Sequence, residues 1–524
     1  MIGRAYARWA LLALLIVLGI MLFRATSFVP STDHFSSEPV PIYDENRKSL
    51  QQVDPLQAMR DTREKQRAVE RAIKSSWMAY STNAFGSDMY MPLSRKGRKT
   101  SGVGWTLLDS IDTVMMAGMS DEVKKIREHL RTTVFKEMDV TVNVYEAMSR
   151  GVGGLLGAYA TSKDEYYAKK AIELAERLLP AINTTNGIPA TMINLKTLQL
   201  GGPKEVPISE AGSMQLELHY LGNLTLNNKY FEAATRFTRY IASQAAEKVF
   251  IPDRINRDTG KFIGKSVHYN MGQGSYYGNI LRQDILTSYS QEAVHDMADE
   301  ILDSIQKQLV EVTSPNRYKF LGSMPNGDSS ALREFITDQD ACSLAGLLVF
   351  HSTDGKWYRR VKIAGVTPKQ EERYRLGLEM LRSCAATWLQ SKSGIAPYRI
   401  AFSTDPYSEV DFKTVDPRNI QSSGVFEALF EMYRITADPT YREWGWEMFD
   451  ALREWTQLED GSFCMLQNAF NGKTTDAMNP SWTGSTLKFL WLLFEHHDSP
   501  IKMDHMCTSR GHCFPQFEIP EHIQ

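Results

Sequence analysis

The chain has 524 residues, 43% of them hydrophobic and 23% charged, with a formal net charge of -3. That length and balance suit one large domain or two ordinary ones with a sizeable core, and they exclude an unfolded chain. The near-neutral charge, with both signs interspersed, leaves no basic footprint for nucleic acid and no acidic tail.

At the N-terminus Arg4 and Arg8 precede an apolar run from Trp9 to Phe23, closed by Arg24. The run is short for a span of roughly 20 residues, but Arg24-Ala25-Thr26-Ser27-Phe28 is a poor cleavage site, so an uncleaved anchor over 9–23 is expected rather than a removed signal. More arginine before the run than after it places residues 1–8 in the cytosol and the remainder in the secretory lumen, a single-pass type II arrangement. Residues 24–66 are rich in Pro, Ser and charge and read as a luminal stem. The folded domain is expected over 67–498, with 499–524 as a C-terminal tail.

From Arg67 onward the apolar spacing is mainly helical, with Gly and Pro at the breaks. Three segments share one pattern: Asp164, Asn227 and Asp438 each stand three residues before Tyr167, Tyr230 and Tyr441, with Ala171, Ala234 and Gly445 four residues further on. The first residue caps a helix, the tyrosine packs its first turn, and the small residue admits a close neighbour. Repeated helix pairs of this kind close into an all-α barrel.

Sequons at Asn183 and Asn223 agree with a luminal address. Five cysteines allow two disulfides and one thiol. Cys507 and Cys513, with His505 and His512 beside them, are open to two readings, a zinc site or a small disulfide, and an oxidising lumen favours the disulfide.

The chemistry centres on Glu146. It lies four residues before Arg150, on one helical face, ahead of the close-packing glycines Gly151, Gly153, Gly154 and Gly157. Burial raises the pKa of such a carboxylate and a neighbouring arginine lowers it, which makes it a tunable proton donor.

The blocks Thr106–Thr113, Asn143-Val144-Tyr145-Glu146 with Arg150, Gly153–Leu156, Glu210–Glu217, Ser275-Tyr276-Tyr277, Gly394–Pro397, Trp444–Glu447 and Gly484–Phe489 occur in order over roughly 77 to 494. Together they resemble class I α-1,2-mannosidases, glycoside hydrolase family 47. The resemblance implies an (α/α)7 barrel that trims α-1,2-linked mannose from high-mannose N-glycans with inversion, using calcium. It places Glu146 at the family's acid position, Arg150, Glu210, Glu217, Asp112 and Glu427 in the glycan site, and a disulfide between Cys342 and Cys384.

Inversion needs a second carboxylate about 6.5 to 9.5 Å from the first to activate water. By the same resemblance, the positions that carry the family's other acids hold Gly274, Gly278, Gly424 in the triplet Ser422-Ser423-Gly424, and Tyr398. Thr486 matches a threonine that holds calcium, but the accompanying acids become Asn479 and Ser485, with Glu427 retained. One threonine and one glutamate make a poor calcium site, since the ion takes six to eight oxygens. Three readings follow. The first is a protein that engages high-mannose N-glycans with hydrolysis lost or impaired, in the endoplasmic reticulum or Golgi membrane. The second is an active mannosidase with a relocated carboxylate, from Asp405, Glu409, Asp411 or Asp416, or from Asp338 or Asp340. The third is a scaffold or quality-control subunit.

Overall fold

In the computed structural model, residues 55–244, 249–269, 275–327, 334–495 and 501–520 are described. Among the described residues, seven helix pairs build the domain. Seven inner helices follow one another around the barrel: α2 (Trp105–Met116), α4 (144–162), α6 (Gln215–Thr225), α8 (Tyr276–Leu286), α10 (Ser343–Ser352), α12 (Gly424–Thr436) and α14 (482–493). Each touches the next, and α14 returns to α2, which closes the ring. The outer partners are α1 (Pro55–Asn83), α3 (Ser120–Thr132), α5 (Glu165–Ile182), α7 (Asn228–Gln244), α9 (Glu292–Gln308), α11 (Pro368–Leu389) and α13 (Thr440–Thr456).

Sequence dictates which ring each helix joins. Inner helices such as α2, α8 and α10 are buried almost throughout, whereas outer ones such as α5 and α7 bury a single apolar stripe and show charge to solvent. The repeated pattern caps helices as expected, and these are outer ones. Asp164, Asn227 and Asp438 accept from Tyr166 N, Lys229 N and Thr440 N. Tyr167, Tyr230 and Tyr441 are buried, and a Cβ on Gly445 would strike Leu493.

Two boundaries differ from the expectation. Helix α1 begins at Pro55, so the last part of the proposed stem is helical, and Gln66 donates to Glu495 at 2.9 Å. Residues 501–520 are not a loose tail. Strands His505–Cys507 and Cys513–Pro515 form a hairpin that packs on α4 and α8, with Phe514 stacked on Tyr220 at 4.5 Å. The reason is apolar: Met506, Cys507 and Phe514 are buried almost completely, and leaving them in water would forfeit roughly 1.5–3 kcal/mol for each large side chain.

The expected anchor at 9–23 lies outside the described residues. Among the described residues no helix is long and apolar enough to cross a membrane. Cys342 and Cys384 form the expected disulfide. Cys507 and Cys513 form a second, which removes the zinc reading, and Cys464 is a buried free thiol.

Candidate functional site

The first turns of the inner helices and the residues just before them line two adjoining cavities at one end of the barrel. The outer cavity has a volume of about 520 Å³ and is lined by Trp105, Asn143, Glu146, Arg150, Met192 and Met465 among others. Beneath it lies a chamber of only about 40 Å³, with Arg282, Asp340, Ser422, Glu427, Ser481 and Arg510 in its wall. Ile420 and Asn479 line both. Helix N-termini carry partial positive charge, so their convergence favours the carboxylates found here.

Glu146 is placed by local structure. Asn143 caps the helix start by accepting from Glu146 N at 2.9 Å, and its amide donates to Glu210 at 3.1 Å. After Glu146, α4 runs through a wide π turn, Ala147–Val152, the kind of bulge that re-aims side chains at functional sites. The glycines then admit close neighbours, for a Cβ on Gly154 would collide with the Leu108 carbonyl and one on Gly157 with Asp112.

The Glu146 carboxylate is gripped from two sides. Arg150 donates to one oxygen and Arg510 to the other at 2.8 Å. Burial pushes the carboxyl up, but the charges of Arg150 and Arg510 outweigh it and hold Glu146 below the ordinary carboxylate range. Its side chain is 31% exposed, into the cavity, whereas the two arginines show 5% and 4%. The expected proton donor is therefore held ionised at neutral pH.

Behind this clamp lies a buried charge network. Arg150 also donates to Asp109 and Ser481. His512 bridges Asp109 and Asp112 at 3.1 Å on each ring nitrogen, and Lys488 donates to Asp112 at 2.7 Å. Burial opposes the His512 charge, but Asp112 and the bonds to both aspartates raise its pKa. Asp109 and Asp112 are thus ion-pair partners deep in the wall. The capping carboxylate ahead of α2 is Asp88, which accepts from the backbone of Thr100, Ser101, Gly102 and Gly104.

The remaining site residues scatter. Glu210 sits on the short helix Ile208–Ala211, which ends before α6, so it does not share a helical face with Glu217. Glu217 is 2% exposed and burial pushes its carboxyl up to about 7. Glu427 is bound to Arg282, both side chains being 2% exposed, and burial raises its pKa while Arg282 opposes the rise. Asp340 enters the chamber from the turn Gln339–Cys342, accepts from Ser422, and is pushed up to about 7 by burial and by the charge of Asp338.

The lost acid position at Gly424 is closed by packing. A Cβ on Gly424 would lie 2.6 Å from the Gln339 carbonyl and 2.8 Å from the Asp340 backbone, whereas one on Gly278 meets the tip of a side chain, the Tyr269 hydroxyl at 2.8 Å, which can move aside. Gly274 lies outside the described residues. The carboxylates of the 405–416 stretch do not line either cavity. Asp405 and Glu409 are exposed, Asp411 is tied to Thr313 and Asn316, and Asp416 pairs with Arg418.

Calcium does not fit the residues present. Thr486 is fully buried, donates its hydroxyl to the Gln421 carbonyl at 2.8 Å, and lines neither cavity. The Asn479 amide donates to Ile420 O, and its oxygen accepts from Ser481 N. Among the described residues no three His, Cys, Asp or Glu side chains converge as a metal set, and in the chamber the guanidiniums of Arg282 and Arg510 stand beside its two carboxylates, Asp340 and Glu427.

Of the sequons, Asn183 is exposed at the end of α5, whereas Asn223 is half-buried within α6. The chief residue missed on sequence is Arg510, and His512, read there only beside a zinc or disulfide pair, belongs to the carboxylate network. Their signal was the pair Cys507 and Cys513, which brackets them and fixes a hairpin.

A family model described as glycosyl hydrolase family 47 matches residues 72–516. The chain belongs to this family. It is 30% identical over 465 residues to the endoplasmic reticulum mannosyl-oligosaccharide 1,2-alpha-mannosidase of Schizosaccharomyces pombe, covering 86% of this chain and 89% of the relative. It is 28% identical over 467 residues to the human protein of that name, covering 86% of this chain and 64% of the relative. The solved alpha-1,2-mannosidase from Trichoderma reesei superposes with a TM-score of 0.76 at 21% identity, covering 86% of this chain and 99% of that one, which shows the shared family 47 fold.

Proposed function

We propose that this family 47 protein binds mannose-rich N-glycans in its outer cavity and does not cleave them efficiently. One observation carries the reading: Glu146, ionised between Arg150 and Arg510, stands over a chamber of about 40 Å³. On that measure the chamber holds on the order of three waters, too little for a terminal sugar ring, whereas the 520 Å³ above it is in the range of small-molecule sites. A ring at the outer level meets the Glu146 and Arg150 heads, the Asn143 amide and the Trp105 edge. It does not reach a water-activating base, because backbone occupies the space around Gly424.

The mannosyl-oligosaccharide 1,2-alpha-mannosidases to which the chain is similar supply the substrate class, mannosyl-oligosaccharides. With the apolar run at 9–23 and the sequons, the full proposal is a type II membrane-anchored glycan binder of the endoplasmic reticulum or Golgi, with its barrel in the lumen.

The test is incubation of the full chain with high-mannose N-glycans, with free mannose and bound glycan measured together. The expected result is saturable binding without catalytic mannose release, weakened about tenfold in Glu146→Gln as hydrogen bonds from the clamp are lost. Mannose release abolished by Glu146→Gln would overturn the reading. A second reading, slow hydrolysis, has one observation in its favour: Asp340 is pushed up to about 7 while Glu146 is held ionised, the split expected of an acid and base pair. Under it, release persists at a low rate and disappears in Asp340→Asn.

A further inference from the structure

We infer that Arg510 is the fixed cation of this site, in the electrostatic role of a divalent ion, and that the cavity takes its neutral sugar ligand without calcium. The glycan half of this inference rests on the function proposed above; the calcium half does not.

Four carboxylates around the floor are already paired with protein cations. Glu146 is held by Arg150 and Arg510, Asp109 by Arg150 and His512, Asp112 by Lys488 and His512, and Glu427 by Arg282. Asp340, the remaining chamber carboxyl, accepts from Ser422 and, at 3.5 Å, from the Tyr398 hydroxyl. An added divalent ion would enter a chamber of about 40 Å³ that already contains the Arg282 and Arg510 guanidiniums. At such separations like charges repel strongly, the more so away from bulk water.

The position of Arg510 is built rather than incidental. The disulfide Cys507–Cys513 closes the hairpin around it. Gly511 follows with φ +80°, and a Cβ there would lie 2.8 Å from the Gly484 carbonyl, so the turn accepts only glycine without strain. His512, one residue further, is pinned between the two aspartates. The guanidinium is 4% exposed on its side chain, reaches Glu146 at 2.8 Å and Ser481 at 3.4 Å, and lies over the Tyr145 ring at 5.7 Å. A guanidinium and calcium differ in what they ask of a sugar. Calcium collects hydroxyl oxygens as ligands, whereas Arg510, in the chamber wall, acts on the ligand through Glu146, whose carboxylate it holds in a fixed plane at the outer cavity.

The decisive experiment is calorimetric titration of the full chain with calcium chloride alone, beside thermal unfolding in calcium and in EGTA. The expected result is no saturable heat up to millimolar calcium and the same melting temperature in both buffers. Stoichiometric binding with a melting temperature raised by calcium would overturn the inference. High-mannose glycan binding is then compared in calcium and EGTA, with affinity expected to change by less than about twofold. Arg510→Ala is expected to lose at least about tenfold in glycan affinity and Arg510→Lys to recover part of it. Equal affinity in Arg510→Ala with an unchanged melting temperature would remove Arg510 from the site. Should no glycan bind in either buffer, the proposed function fails while the calcium titration still decides whether the site is ion-free.

Discussion

Glu217 and Glu146 lie in one barrel end and are pushed in opposite directions. Glu217 is enclosed, and one of its oxygens has no hydrogen-bond partner, so burial raises its pKa to about 7. A folded pKa above the unfolded value means that the protonated form is the stabilised one. The contribution is fully present below the ordinary carboxylate pKa of about 4.3 and is lost as pH rises through about 7. Glu217→Gln keeps the shape and abolishes the titration. It is expected to raise stability by roughly 1–3 kcal/mol at pH 8 and to change it little at pH 4.5, measured by urea unfolding at both. Equal shifts at both pH values would show that the carboxyl is not desolvated as described. Glu146 has the opposite sign, since its folded pKa is depressed. Its clamp adds stability above the ordinary carboxylate range, and that stability is lost as pH falls through the depressed value.

The hairpin 505–515 is the element on which the site depends most. It brings Arg510 to Glu146 and His512 to Asp109 and Asp112, and its backbone accepts from Lys488 at Gly511 O. Truncation after residue 498 takes His512 from between Asp109 and Asp112, which keep Arg150 and Lys488, takes Arg510 from Glu146, and leaves a hole in their place. Breaking one buried pair by removing a partner costs about 3–5 kcal/mol, and a whole domain has only about 5–15 kcal/mol to lose. The truncated chain is expected to show no cooperative unfolding transition in near-ultraviolet circular dichroism. A sharp transition within a few degrees of the full chain would refute the hairpin's structural role.

The same element marks where sequence reading stopped. The helical rings were legible because caps, tyrosines and small residues repeat at fixed offsets, and Glu146 with Arg150 because they share one turn. The network was not, because its partners are far apart in the chain: Asp109 meets His512 and Arg150 meets Ser481 only once the barrel closes. Burial of a charge depends on that closure, so no local pattern distinguishes Glu146 as a proton donor from Glu146 as a clamped anion.

At the scale of the whole molecule, the proposed lack of a base at the position of Gly424 follows from how the ring is packed rather than from one side chain. The turn Gln339–Cys342 leads into α10, is tied to α11 by the disulfide Cys342–Cys384, and lies directly on the first residue of α12. Asp340 bonds Ser422, which locks this turn to the segment that carries Gly424. Restoring a carboxylate at that position therefore demands movement of two inner helices, not the addition of a group to an empty place. Gly424→Glu is expected to destabilise the protein by roughly 1–3 kcal/mol through overpacking and to release no mannose from high-mannose glycans, read by thermal unfolding and by a free-mannose assay. Were Gly424→Glu to fold with an unchanged melting temperature and acquire hydrolysis sensitive to Glu146→Gln, the chamber would be shown to yield. The barrel would then be an enzyme lacking one residue. Retained inactivity together with the stability loss instead places the departure from catalysis in the mutual packing of α10, α11 and α12, where no single substitution reverses it.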